Sequence, residues 1–179
     1  MRTLVHRLAR ARIGETYNQY ADSELRRGRL ADYLERHAGA RILLVGEAAG
    51  YRGARVSGIP FTSERQLTGA GPAEATATIV HRVLEELELA DDVLLWNVVP
   101  THPGTATSNR RPTAREIRGA RPFLEELALG RRTIAIGRVA AHVTGAPYVR
   151  HPAHGGANGF AAGLALALTA KPTPVRLSR

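Results

Sequence analysis

The chain has 179 residues, 44% of them hydrophobic, 23% charged and 5% aromatic. That composition excludes disorder as the main state and fits one domain able to bury a real core. There is no cysteine, which excludes disulfides, Cys-ligated zinc or iron–sulfur clusters and Cys nucleophiles, while 25 Lys+Arg against 16 Asp+Glu give a net charge of +9. No apolar run approaches the roughly 20 residues of a membrane span. The opening MRTLVHRLARARIGE is basic but lacks the apolar core of a signal peptide, so a cytoplasmic, nucleoid-associated protein is expected.

In chain order, the first forty residues read as helical, with Leu25, Leu30 and Leu34 near helical spacing. Arg41 to Val45 is a short apolar run closed by Gly46, which predicts a buried strand. Ile79, Val80, Val83, Leu84 and Leu87 form a helical stripe. Val93 to Val99 predicts a second buried strand, closed by Pro100. Thr113 and Glu116 are spaced as a capping box, and Ile117, Ala120, Leu124 and Leu127 then share one helix face. Pro122 should kink or split that helix. Thr133 to Ile136 is a third strand, Gly137 to Thr144 a short helix, Tyr148 to Arg150 a fourth strand and Gly159 to Leu168 a last helix. Residues 170–179 read as a loose tail. Strands alternating with helices predict an α/β/α sandwich around a four-stranded, mainly parallel sheet, in a single domain over 1–179.

The charge is unevenly placed. Residues 74–92 hold six acids and one base, residues 101–121 five arginines and one acid, and residues 146–179 four bases and no acid. A one-sided, arginine-dominated basic face favours a nucleic acid.

In parallel sheets ligands bind beyond the carboxyl ends of the strands. The unusual residues of this chain follow strands: GEAAGYRG after the first, NVVPTHPG at the second, RHPAHGG after the fourth. Glu47 is a carboxylate beside a buried strand, whose charge must be used or paired. Phe61 follows a Gly-Ile-Pro turn; it is either core or a rigidly presented ring. Asn97, an amide in an apolar run, either ties loops together or reads the edge of a base. His151, stiffened by Pro152, suits donation to a developing anion. A metal held by His151, His154 and His102 is a poor reading, because H-x-x-H alone is weak and Pro152 intervenes. The glycine spacing is neither a dinucleotide fingerprint nor a Walker motif, and no Ser nucleophile elbow is present. No metal and no cofactor is expected.

Taken together, GEAAG-x7-GIPFTS, LLWNVVP, NRRPTAREIRGARPFLEEL and RHPAHGG, in this order, resemble the uracil-DNA glycosylase superfamily, closest to its iron–sulfur branch, family 4. The resemblance runs from about Arg41 to Leu164. It implies a DNA repair enzyme that flips uracil out of DNA and hydrolyses its N-glycosidic bond, leaving an abasic site. It implies that Glu47 positions or activates the water. Phe61 would stack on the base, in a pocket with Gly46, Ala48 and Ala49. Asn97 would bond the base edge, and His151 would stabilise the departing anion. Ser63, Arg110, Arg111, Gly155 and Gly156 would hold phosphates, and His154 is a candidate to fill the gap left by the base. The partner is uracil-containing DNA, single- or double-stranded, and the protein is expected to be a monomer that binds no membrane.

The chain departs from that branch in places. Thr101 and Ala120 stand where two cluster cysteines would fall, so ordinary packing must hold that region. Ala49 replaces a usual proline. Ala48 replaces the aspartate of the best-known family, leaving Glu47 as the only local carboxylate. Two other readings fit the same residues. One is a DNA-damage binding protein that traps damaged DNA covalently on His151. The other is an enzyme of free nucleotides, which the missing phosphate-binding glycine signature disfavours.

Overall fold

The structure is a computed structural model that describes residues 1–153 and 155–170. Its centre is built from the apolar runs. β1 (Ile42–Ala48) and β2 (Val93–Val99) pair in parallel, with Ile42 opposite Val93 and Gly46 opposite Asn97. β3 (Arg132–Ile136) pairs in parallel with the other edge of β1, and β4 (Tyr148–Val149) with β3. The order is β2-β1-β3-β4, with every pairing parallel, as expected. Strands without polar alternation need cover on both faces. Every residue of β2 is buried, and Trp96 is among the largest fully buried side chains.

Helices supply the cover. α1 (Arg2–Arg10) packs on α2 (Glu24–Arg36), burying Leu4, Val5 and Leu8. Two short helices, α3 (Ala54–Ser57) and α4 (Glu64–Thr68), and then α5 (Ala75–Glu86) separate β1 from β2. α6 (Ala114–Ala128) packs on β2, α7 (Arg138–Thr144) on β3 and β1, and α8 (Ala157–Thr169) on β4.

Four local expectations change. The first forty residues are not continuously helical, because Ala11 to Ser23 runs as irregular chain between α1 and α2. Gly14 there has φ +54°, and Asn18 Nδ2 bonds the carbonyls of Leu8 and Ala11 at 2.8 and 3.0 Å. Side chains that bond nearby backbone compete with helix. Leu25, at the start of α2, is 63% exposed and is not part of the buried stripe. β1 runs past Val45 to Ala48, since pairing to β2 continues through Gly46 and Ala48, so Glu47 lies in the strand rather than after it. Pro122 neither splits nor ends α6. Its ring removes one helical hydrogen bond, but Ala120, Phe123, Leu124 and Leu127 bury the same helix in the core and offset that loss.

The capping box forms. Thr113 Oγ1 accepts the Glu116 N–H at 3.3 Å, and the Glu116 carboxylate accepts the Thr113 N–H at 2.8 Å.

Candidate active site

Strand order reverses on the two sides of β1, and in such a sheet the crevice opens at the carboxyl ends of the strands. A cavity of about 310 Å³ lies there, and Glu47, Phe61, Asn97 and His151 all line it. Four residues separated by more than a hundred positions are thus brought together by the topology. Ala48, Ala49 and Arg110 line it as well.

Asn97 sits in the middle of β2 and is only 3% exposed. Among the described residues, no protein group bonds its side-chain amide. Buried amides are almost always bonded, so this one faces the cavity with its donors and acceptor available to a ligand.

Gly46 is opposite Asn97 in the β1–β2 register. A Cβ on Gly46 would come 2.2 Å from Phe61 Cζ and 2.9 Å from Asn97 Oδ1. Glycine here lets the ring and the amide approach the same strand. Phe61 is 7% exposed and has φ +52°, an uncommon backbone state for a bulky residue that costs roughly 1–3 kcal/mol. Hydrogen bonds hold the strained loop. His81 Nε2 bonds the Phe61 carbonyl at 3.0 Å, and Ser57 Oγ donates to the Thr62 carbonyl at 2.6 Å.

His151 follows β4, beside Gly137 at the end of β3. Its Nδ1 accepts the Ala153 N–H at 3.2 Å. That bond assigns the tautomer: in the neutral ring the proton is on Nε2.

Burial pushes the Glu47 carboxyl above its ordinary range, and the Arg111 guanidinium opposes that shift. Arg111 is exposed, whereas Arg110 is fork-bound to the buried Glu116 at 2.6 and 2.8 Å. That pairing, helped by the Thr113 N–H, holds the Glu116 carboxyl down at about 2.

Not every expected contact is available. Ser63 is fully buried and its hydroxyl donates to Gln66 Oε1 at 2.8 Å, so it presents nothing to a phosphate. The Gly156 N–H is engaged by the Ala153 carbonyl at 3.1 Å. Gly155 is exposed, at φ +73°. His102 is fully buried with both ring nitrogens 2.7 Å from carbonyls, those of Ala49 and Thr105, which removes it from any metal reading. It ties the GEAAG loop to the segment after β2 instead. His154 and residues 171–179 lie outside the described residues.

Against this geometry, the family model of the Uracil DNA glycosylase superfamily matches residues 35–176. The chain belongs to that superfamily. Among solved structures, wild-type SMUG2 of Pedobacter heparinus is similar over 93% of this chain and 95% of that one, with TM-score 0.64 at 13% identity. At that identity the likeness speaks for the fold. No curated protein matches the sequence. As a superfamily member without cysteines, this chain has no cluster. At the two positions concerned, Thr101 Oγ1 meets Thr16 Oγ1 at 2.6 Å and Ala120 is buried in the core. The irregular segment after α1 is therefore part of what holds that region.

Sequence reading missed two residues. Glu74 lines the cavity, so Glu47 is not the only local carboxylate. The acidic count of residues 74–92 hid it among surface charges. His81 lay inside an apolar helical stripe with no motif to mark it. Its neutral form is favoured by burial, which pushes it below the usual histidine range. His81→Leu should lower stability by about 1–2 kcal/mol and speed amide exchange of residues 57–63, since it releases the Phe61 carbonyl. Hydrogen exchange by mass spectrometry reads this directly. Unchanged exchange in that loop would show that His81 does not hold Phe61.

Proposed function

We propose that the protein is a monofunctional uracil-DNA glycosylase. Support comes first from Asn97, a buried amide with no partner among the described residues, on the wall of the cavity shared by Glu47, Phe61 and His151. The flipped base enters this cavity and stacks on Phe61. Asn97 bonds its O4 and N3 edge; cytosine, with a donor at C4, mismatches the same amide. His151 Nε2–H donates to O2 as the N1–C1′ bond breaks and its electron pair moves onto the base. Glu47 holds the water whose oxygen bonds C1′ and accepts its proton. The base leaves as a stabilised anion and is protonated by solvent. The exposed Arg111, Arg115 and Arg118 hold phosphates.

The experiment is incubation with a labelled oligonucleotide carrying one uracil, with cytosine and thymine controls. Each sample is split between alkali treatment and a denaturing protein gel. Strand scission only after alkali, and only with uracil, is the expected result. A protein–DNA band that survives denaturation would replace turnover by covalent capture. No scission and no band would remove the uracil assignment.

A further inference from the structure

Glu74 reaches the cavity from an unusual position. It is the N-cap residue of α5, yet its side chain makes no bond to the helix it caps. Only its backbone carbonyl serves the helix, accepting the Thr78 N–H at 3.1 Å and the Thr78 hydroxyl at 3.3 Å. The carboxyl turns instead toward the GEAAGYRG loop. A Cβ at Gly50 would stand 2.2 Å from Glu74 Oε1, and a Cβ at Gly53 2.0 Å from Oε2. Neither glycine is in the left-handed region, and Gly53 has φ −102° and ψ −117°, a backbone state that glycine adopts most readily. The glycine spacing of this loop, which fits no nucleotide fingerprint, leaves room for the Glu74 carboxyl beside it.

Among the described residues, no donor bonds the Glu74 carboxyl and no cation pairs with it. Burial alone acts on it and pushes its pKa up. The charged and titratable groups on the same cavity wall are Glu47, Arg110 and His151, and Arg110 is engaged by Glu116. A desolvated carboxyl without partners destabilises a fold. A serine or aspartate at the same cap would stabilise the helix. Such a residue is accounted for by what enters the cavity.

We propose that Glu74 is a second substrate-side carboxyl of this cavity, donating a hydrogen bond to a ring carbonyl of the flipped base. The assignment rests on the glycosylase reading above and extends it. Deamination replaces an exocyclic amine by a carbonyl, so a fixed donor at that carbonyl favours deaminated bases over their parents. A carboxyl donates only when it holds its proton, and burial with no cation nearby favours that form. Burial raises Glu47 as well, but Glu47 has Arg111 to oppose the shift. The two carboxyls thereby divide the work: Glu47 is the anion at the water, Glu74 the acid at the base.

The test uses the full chain with uracil oligonucleotides under single-turnover conditions, with His151→Ala as the control for the glycosylase reading. Glu74→Ala is expected to slow excision about tenfold, the usual loss for one hydrogen bond to a ligand. Glu74→Gln keeps an N–H donor at every pH. It is expected to recover most of that loss and to flatten the alkaline fall of the wild-type rate. Gly50→Ala leaves Glu74 in place chemically but displaces its carboxyl, since the new Cβ would stand 2.2 Å from Oε1. It should match Glu74→Ala, and the double variant should be no slower than either. Melting supplies the readout that a structural role would reverse. An acid whose pKa is raised by folding loses stability as pH rises above its unfolded value. Glu74→Gln should therefore melt higher than wild type at pH 7, with the gain gone near pH 4. Wild-type excision by Glu74→Ala, or a Glu74→Gln no better than Glu74→Ala, overturns the donor role alone. A lower melting temperature for Glu74→Gln at pH 7 does the same. Absence of excision by the wild type overturns this assignment together with the glycosylase reading.

Discussion

His151→Ala is expected to slow uracil excision by about 10²-fold or more while leaving DNA binding close to wild type. The reasoning starts from geometry. Nδ1 is occupied by the Ala153 N–H, so the only proton of the neutral ring projects from Nε2. Pro152 restricts the backbone that carries the ring, and Gly137 packs against it from the end of β3. The ring is thus held in orientation before substrate arrives. Uracil O2 gains most of its negative charge only as the glycosidic bond breaks. An interaction that strengthens along that coordinate lowers the barrier rather than the ground state. The single-turnover rate and kcat/KM should therefore fall together, with little change in affinity for uncleaved DNA. His151 is half-buried and outside the core, so the variant should fold. A rate within a few-fold of wild type would remove the anion-stabilising role from this residue, whatever the fate of the other three.

How much of this was written in the sequence differs between fold and site. The sheet was legible because β1, β2 and β3 are apolar runs bounded by glycine, proline or arginine, and burial on both faces leaves no other reading. The capping box at Thr113 was legible because its two bonds are local. Pro122 misled because the ring's local cost is weighed against core packing that sequence periodicity does not measure. The segment Ala11 to Ser23 was lost for a similar reason. Its contacts are to distant chain, as in the Tyr17–His102 bridge and the bond from Gln19 Nε2 to the Pro100 carbonyl at 2.8 Å. In the site, Glu47 and Asn97 are polar residues within apolar strands and His151 follows a strand, and so they announced themselves. Glu74 and His81 sit on α5, and only the folded chain brings that helix to the cavity and to the Phe61 loop. Ser63 and Gly156 were read for their chemistry, and folding engages that chemistry inside the protein.

The most damaging single methyl group in the site should be the one added by Gly46→Ala. Gly46 is a strand residue paired with Asn97 in β2, so β1 has little room to shift. The new Cβ would stand 2.2 and 2.8 Å from Phe61 Cζ and Cε2, and 2.9 Å from Asn97 Oδ1. Real carbon contacts are nearer 3.5–4 Å, so one partner must leave. Phe61 cannot rotate away cheaply. Its backbone is already at φ +52°, and His81 and Ser57 pin the loop on either side of it. Overpacking of this kind costs about 1–3 kcal/mol. A displacement of about 1 Å in a base-stacking ring can slow a reaction about 10²-fold. Both losses are expected in one variant, read by thermal melting and by single-turnover excision. A cycle with Phe61→Ala separates the causes. If the clash runs through the ring, Gly46→Ala costs little further stability once Phe61 is truncated, while activity stays low because the stacking surface is gone. An equal stability loss with and without the ring would place the conflict at Asn97 Oδ1 or in the strand pairing itself, and Gly46 would then be kept for the amide rather than for the phenyl ring.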